Sequence, residues 1–409
     1  MKTRFLMLLL GLLAAVHLFA QTDGPIPEQY IVLIRESYAS PVALQEVTTE
    51  DRESAFNLND GKRTQNLQFL ASVRNAAAIS NTQVLAEYAD AIVGFSAKLT
   101  SEQVSMLRQN PAVEGVFQDY YVSTEPEAIE RVPAEFSPEG QTTPCAITNA
   151  GGFVDAAAKT NWIWILDTGI DFDHPDLNVQ ASLPYAQSFI SGQTADDGNG
   201  HGTHVAGIAA AKNNGIGIVG VSAGAKVVPV KVLPNSGAGG SISIIIQGLN
   251  HVASFDKQND VVNLSIGAYP ITNCENSNLP LRDAIKNLGI SGTWVCIASG
   301  NNAANAALCS PGCINGIKVL TVGAITCAQG CYSGPNWGTP VVDWVATGQS
   351  VYSTYKNGGY ATLTGTSQAS PVVAGIIHAR GGLAPVSGGT ISCGNASVPP
   401  AAYKKAKRA

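Results

Sequence analysis

Trp162-Ile163-Trp164-Ile165-Leu166-Asp167-Thr168-Gly169 decides the fold. Five apolar residues in a row, without alternation, fit a parallel strand buried on both faces. A carboxylate ends the run, and Thr-Gly lets the chain turn. In open parallel sheets, sites form at the carboxyl ends of strands. Working outward, comparable apolar runs stand at 227–233, 261–266, 294–298 and 317–322. Helical segments at 201–212, 241–254 and 281–288 lie among them, and a final helix is expected after Ser367. The alternation predicts an α/β fold with a doubly wound, mostly parallel sheet flanked by helices.

Three short motifs carry the chemistry: Asp167-Thr168-Gly169, His201-Gly202-Thr203-His204 and Gly365-Thr366-Ser367. A serine hydroxyl is a weak nucleophile unless a histidine takes its proton and a carboxylate orients that histidine. His201 opens a segment of small residues, Ala206, Gly207, Ala209, Ala210 and Ala211, which allow close packing and fix the imidazole. His204 lies one turn on. No Glu stands between the two as the zinc protease motif requires, so His204 reads as structural. Ser367 begins a helix that is apolar all round, hence central and buried. Pro371 falls in its first turn, where a missing N–H costs little. The helix dipole favours negative charge at Ser367. The surroundings are not Gly-x-Ser-x-Gly, which disfavours an α/β-hydrolase elbow.

With these motifs in the order Asp, His, Ser, the chain resembles the subtilisin-like (subtilase) serine proteases. The resemblance implies a secreted serine endopeptidase of subtilisin-like fold, made as a self-processed zymogen, with Asp167, His201 and Ser367 as triad. Asn301, in Ser299-Gly300-Asn301, matches the family's oxyanion-stabilising Asn. Peptide substrates would bind by strand addition to Ser265-Ile266-Gly267 and to the glycine-rich 236–240, which includes Gly237 and Gly239. Ala298, Ser299 and Gly300 would line the pocket for the residue before the cut, their small side chains leaving room for a large apolar one. Asp176 and Asn214 match positions that bind a structural Ca²⁺ in subtilisins, although Asn213-Asn214-Gly215 also reads as a helix end. No organic cofactor is implied. Gln368 and Val372 depart from the Met and His common in the family, and neither is a reacting group. Two alternatives stay open: a non-catalytic binding protein on the same fold, and an esterase or peptide ligase using the same triad.

The rest of the chain frames this site. At 409 residues it suits two or three domains. Its 45% hydrophobic content can build a large core, and a net charge of −6 argues against a nucleic-acid partner. Residues 1–20, with Lys2 and Arg4 before an apolar stretch too short for an ordinary membrane span, read as a signal peptide of a protein without a membrane partner. Residues 21–124 read as a small α+β domain: strands at 29–34, 92–99 and 113–117 and a helix at 101–108. Its place ahead of the triad resembles the inhibitory propeptide of subtilases, an intramolecular inhibitor and folding aid. Residues 125–144, acidic and proline-spaced, read as an exposed linker and processing region. A catalytic domain over 145–400 follows, then a basic tail, 401–409, expected to be frayed and solvated. Eight cysteines, all beyond residue 140, favour disulfides in an oxidising compartment. Cys309-x3-Cys313 and Cys327-x3-Cys331 lack the spacing and histidines of zinc sites, which favours local bridges, and Cys296 reads as a buried thiol.

Overall fold

The structure is a computed structural model that describes residues 24–44, 51–124, 128–132, 140–271, 274–395 and 398–409. The signal-peptide reading and half of the linker lie outside these residues. The expected α/β architecture is present. From one edge, the large sheet runs Asn178–Val179, Lys226–Lys231, Ile163–Asp167, Val261–Leu264, Trp294–Ala298, Val319–Ile325, Trp344–Thr347, Val398–Lys407 and Val386–Asn395. Every neighbouring pair is parallel except the last. The opening stretch explains its own composition. Trp164 and Leu166 enter the core under helices Ile242–Phe255 and Leu279–Ser291, while Ile163 and Ile165 enter a core on the other face. That second face carries helices His201–Ala210 and Thr366–Ala379, which pack closely: a Cβ on Gly375 would lie 2.9 Å from the Ala209 carbonyl oxygen.

Strand order reverses beside Ile163–Asp167. The chain first adds Lys226–Lys231 on one side, then returns to add Val261–Leu264 on the other. A crevice opens at the carboxyl ends where such a reversal occurs.

The N-terminal domain is an antiparallel sheet of Pro25–Ile34, Val84–Tyr88, Gly94–Lys98 and Val113–Ser123 with three helices, Arg52–Leu58, Asp60–Ala76 and Ser101–Gln109. Thr100 caps the last in a full capping box with Gln103. The 17-residue helix Asp60–Ala76 escapes sequence reading because it buries only Asn66, Leu70 and Val73. The domain rests on the two helices that cover one sheet face. Tyr88 donates to the Ser243 carbonyl at 3.0 Å, and Asn250 Oδ1 accepts from the backbone N–H groups of Ala89, Asp90 and Ala91 at 2.8–3.1 Å.

Three sequence expectations change. The disulfides are Cys145–Cys327, Cys274–Cys313 and Cys331–Cys393, joining residues 182, 39 and 62 apart. They are not the local pairs, because spacing along the chain does not report which loops packing brings together. Cys296 is a buried thiol as read, and burial pushes it up. The basic tail is not frayed. Val398–Lys407 pairs with Trp344–Thr347 and covers that sheet edge, with Tyr403 buried and its hydroxyl accepting from Gly338 N–H at 2.9 Å. Within the linker, Ala128–Val132 pairs as a strand with Gly359–Thr364.

Candidate active site

Asp167 ends its strand fully buried. Its Oδ1 accepts from Thr168 N–H at 2.7 Å and faces His201 Nδ1, also at 2.7 Å. His201 is the first residue of its helix, preceded by Gly200 at φ 111°, a conformation that favours glycine. Gly202 is fixed by space: a Cβ there would lie 2.0 Å from the Gly169 carbonyl oxygen. His204 is buried, with Nε2 3.1 Å from the carbonyl oxygens of Val351 and Ala361, a structural place as expected.

Ser367 is buried in the first turn of Thr366–Ala379, a helix buried from Thr366 through His378. Its hydroxyl lies 3.4 Å from the Ser265 carbonyl oxygen, and Ser265 Oγ donates back to the Ser367 carbonyl at 2.9 Å. Asn301 follows the strand Trp294–Ala298. Its Oδ1 accepts from Thr366 N–H at 2.8 Å and from the Thr366 hydroxyl at 3.1 Å. Its Nδ2 is buried without a hydrogen-bond partner among the described residues. A carboxylate–imidazole pair, a hydroxyl at a helix N-terminus and an unengaged amide donor therefore gather at the carboxyl ends of adjacent strands. That combination can activate a nucleophile and stabilise an oxyanion.

The proposed cleft strands are occupied by the chain itself. Ser123 pairs antiparallel with Gly267, by bonds of 3.4 and 3.3 Å, and Thr124 N–H donates to the Gly237 carbonyl at 2.8 Å. Gly240 and Ser241 pair with Val122 and Tyr121. Gly239, at φ 91°, has open space about it. The Ile266 side chain is 1% exposed and belongs to the core, which leaves its backbone as the part a peptide could pair with. Ala298 and Ser299 are buried, and Gly300 N–H donates to Thr366 Oγ1 at 3.1 Å. A Cβ on Gly300 would lie 2.2 Å from Asn336 Nδ2.

Sequence reading missed the supports. Asp197, four residues before His201, accepts from Thr168 Oγ1 at 2.9 Å, Gly200 N–H at 2.8 Å and both Thr203 N–H and Oγ1 at 2.9 and 2.6 Å. Lys231 is fully buried, donates to the Thr168 carbonyl and to Asn235 Oδ1, and burial lowers its pKa. Asn336 ties the 299–304 loop through Ser299, Asn302 and Ala304. An Asp near the His motif was a usable signal; Lys231 and Asn336 carried none.

The residues expected at a cation lie together. Asp176 is fully buried, and Asn214 interacts with its carboxyl. Asp176 Oδ2 accepts from Ile218 N–H at 3.0 Å and Tyr360 OH at 3.3 Å, while Oδ1 has no partner among the described residues. Gln141 Oε1 touches the same loop through Gly215 N–H at 2.8 Å. A buried, unengaged carboxylate oxygen beside neutral oxygen donors fits a Ca²⁺ ligand set.

Residues 159–379 match the subtilase family, and residues 29–125 match the peptidase inhibitor I9 family. The chain is 36% identical over 285 residues to an alkaline protease of Alkalihalobacillus alcalophilus, covering 68% of this chain and 67% of that one. It is 33% identical to a cuticle-degrading protease of Metarhizium anisopliae, covering 71% of each. The crystal structure of a cold-adapted subtilisin-like serine proteinase is similar at 31% identity and a TM-score of 0.46, over 56% of this chain and 77% of that one.

Proposed function

The chain belongs to the subtilase family, and from that premise we propose that Ser367 is its nucleophile, His201 its proton carrier and Asp167 the orienting carboxylate. It is a subtilisin-type serine endopeptidase with an inhibitor-type propeptide domain. Ser367 Oγ attacks the peptide carbonyl and gives its proton to His201 Nε2. Asp167 holds Nδ1–H and stabilises the imidazolium. The developing oxyanion takes hydrogen bonds from Ser367 N–H and Asn301 Nδ2, with the helix dipole behind them. His201 then protonates the leaving amine, and water hydrolyses the acyl-enzyme.

Self-processing from a zymogen is carried by one observation: residues 121–124 lie as an added strand between 237–241 and Gly267. Ser265, two residues before Gly267, bonds Ser367. The described part of the added strand ends at Thr124, close in register to that site, so cleavage is expected next to residue 125. Incubating the chain beside its Ser367→Ala variant tests both ideas. N-terminal sequencing should find a new start near 126 only in the first; equal behaviour would sink activity and processing together. Three disulfides and the sequence of residues 1–20 support secretion. Asp176, Asn214 and Gln141 would hold a structural Ca²⁺. A chelator should lower the melting temperature of the chain but not of Asp176→Asn, and an unchanged melt in both would remove the ion.

A further inference from the structure

The propeptide also grips the catalytic domain far from the cleft. Arg52, the first residue of Arg52–Leu58, is 5% exposed although its neighbours Asp51 and Glu53 face solvent. Its guanidinium meets Asp260 as a fork, Nη1 to Oδ2 at 2.6 Å and Nη2 to Oδ1 at 2.8 Å. Nη1 also donates to the Phe255 carbonyl at 2.8 Å and Nη2 to the Thr160 carbonyl at 3.4 Å. The Trp162 ring lies 3.8 Å from the guanidinium carbon, and Phe56 stacks on Phe255 at 4.7 Å. The pocket is built from the catalytic side alone. Asp260 is fully buried and is held by Trp162 N–H at 2.9 Å, Trp164 Nε1–H at 2.8 Å and Lys257 N–H at 3.2 Å.

A paired carboxylate, two carbonyl acceptors and an aromatic face match a planar guanidinium and no other common side chain; a lysine ammonium cannot make the fork. We propose that Asp260, Trp162 and the Thr160 and Phe255 carbonyls form a guanidinium-binding pocket that latches the propeptide through Arg52, independently of the cleft. The latch rests on the zymogen reading above; the pocket does not. When the propeptide leaves, the same pocket stands open to an arginine side chain.

The test uses the full chain. In a Ser367→Ala background, which removes cleavage, Arg52→Ala leaves the pocket vacant. Millimolar N-methylguanidinium should then raise the melting temperature along a saturating curve, and methylammonium should not. The chain retaining Arg52 should show no saturating rise. Arg52→Lys, a milder change, should melt nearer to Arg52→Ala than to Arg52. In the active chain, Arg52→Ala should speed loss of the cleaved propeptide by at least about tenfold, the ratio that corresponds to one lost fork of modest strength. Equal guanidinium responses in both backgrounds overturn the pocket. Rescue by guanidinium with unchanged propeptide release overturns the latch. Absence of processing in both chains that keep Ser367, with and without Arg52, overturns the zymogen reading, and the melting curves still decide the pocket.

Discussion

Asn301→Ala separates transition-state stabilisation from every other role of the site. The side chain does two things: Oδ1 holds Thr366 by bonds of 2.8 and 3.1 Å, and Nδ2 stands buried with no partner among the described residues. A buried donor left unengaged costs about 1–3 kcal/mol, a cost that is recovered only when an acceptor arrives. In the proposed reaction the oxyanion would be that acceptor, and the ground-state carbonyl a weaker one. Removing one such donor lowers kcat by about 10²–10³, or roughly 3 kcal/mol, a value known from subtilisin, a member of the same family. The two lost Thr366 bonds should cost about 1 kcal/mol of stability each. Thr366→Val is the companion variant. It deletes one anchor of Asn301 and the acceptor of Gly300 N–H but leaves the Thr366 N–H bond, so kcat should fall only about tenfold, by loosening the amide. The assay is hydrolysis of a chromogenic peptide amide with the active-site concentration titrated, at several substrate concentrations. KM should stay within about threefold, because the interaction is absent from the ground state. If Asn301→Ala keeps kcat within about threefold of the parent, or loses its activity through KM alone, Asn301 is not an oxyanion donor.

Gly202→Ala should reduce activity by about 10²-fold or more and lower the melting temperature, because the new Cβ would lie 2.0 Å from the Gly169 carbonyl and 3.2 Å from Asp167 Cβ, prising His201 from Asp167; wild-type kinetics would refute it. Cys145→Ser opens a bridge between residues 182 apart, and loss of such a long closure should cost roughly 3–5 kcal/mol of unfolding free energy, read from urea titration of the Ser367→Ala chain. Asp256 is partly buried beside Thr293 and Asp260, and its carboxyl is pushed up to about 7, first by burial and then by the Asp260 charge. The folded chain therefore keeps that proton where the unfolded chain has lost it, so this group's contribution is complete below about pH 4 and is lost as pH rises through about 7. Asp256→Asn should leave the urea midpoint unchanged at pH 4 and gain on the order of 2 kcal/mol at pH 8; a gain at pH 4 of equal size would show that the titration is not the cause.

The parts legible in sequence share a physical reason. Ile163–Asp167 reads correctly because successive side chains enter two different cores, which forces an unbroken apolar run. The motif residues at 167, 201, 301 and 367 stand out in the sequence because each lies at or just beyond an element terminus marked by small residues. The illegible parts are long-range or polar. Asp60–Ala76 exposes most of its surface, so no apolar period announces it. Cys145 and Cys327 meet only because packing sets a short helix beside the far strand Trp344–Thr347. Ile266 reads as a cleft residue by its neighbours, yet its side chain alternates into the core while Ser265 and Gly267 face the cleft.

Arg52 is the extreme case: in Asp51-Arg52-Glu53 it has the pattern of a solvated charge, and only Asp260 reveals otherwise. Asp260 immediately precedes the strand Val261–Leu264, and Ser265 immediately follows it. The propeptide thus holds both ends of one central strand, the guanidinium at its start and the paired segment 121–124 near the residues that follow its end. Asp260 and Gly267, the residues that carry the two holds, are seven residues apart, roughly 23 Å along an extended chain and too far for either hold to strain the other directly. The two should therefore contribute nearly additively to retention. The proposed cleavage next to residue 125 would remove only the covalent tie, so the propeptide should leave when both holds open together. Activation that lags behind processing is the expected kinetic form of this arrangement.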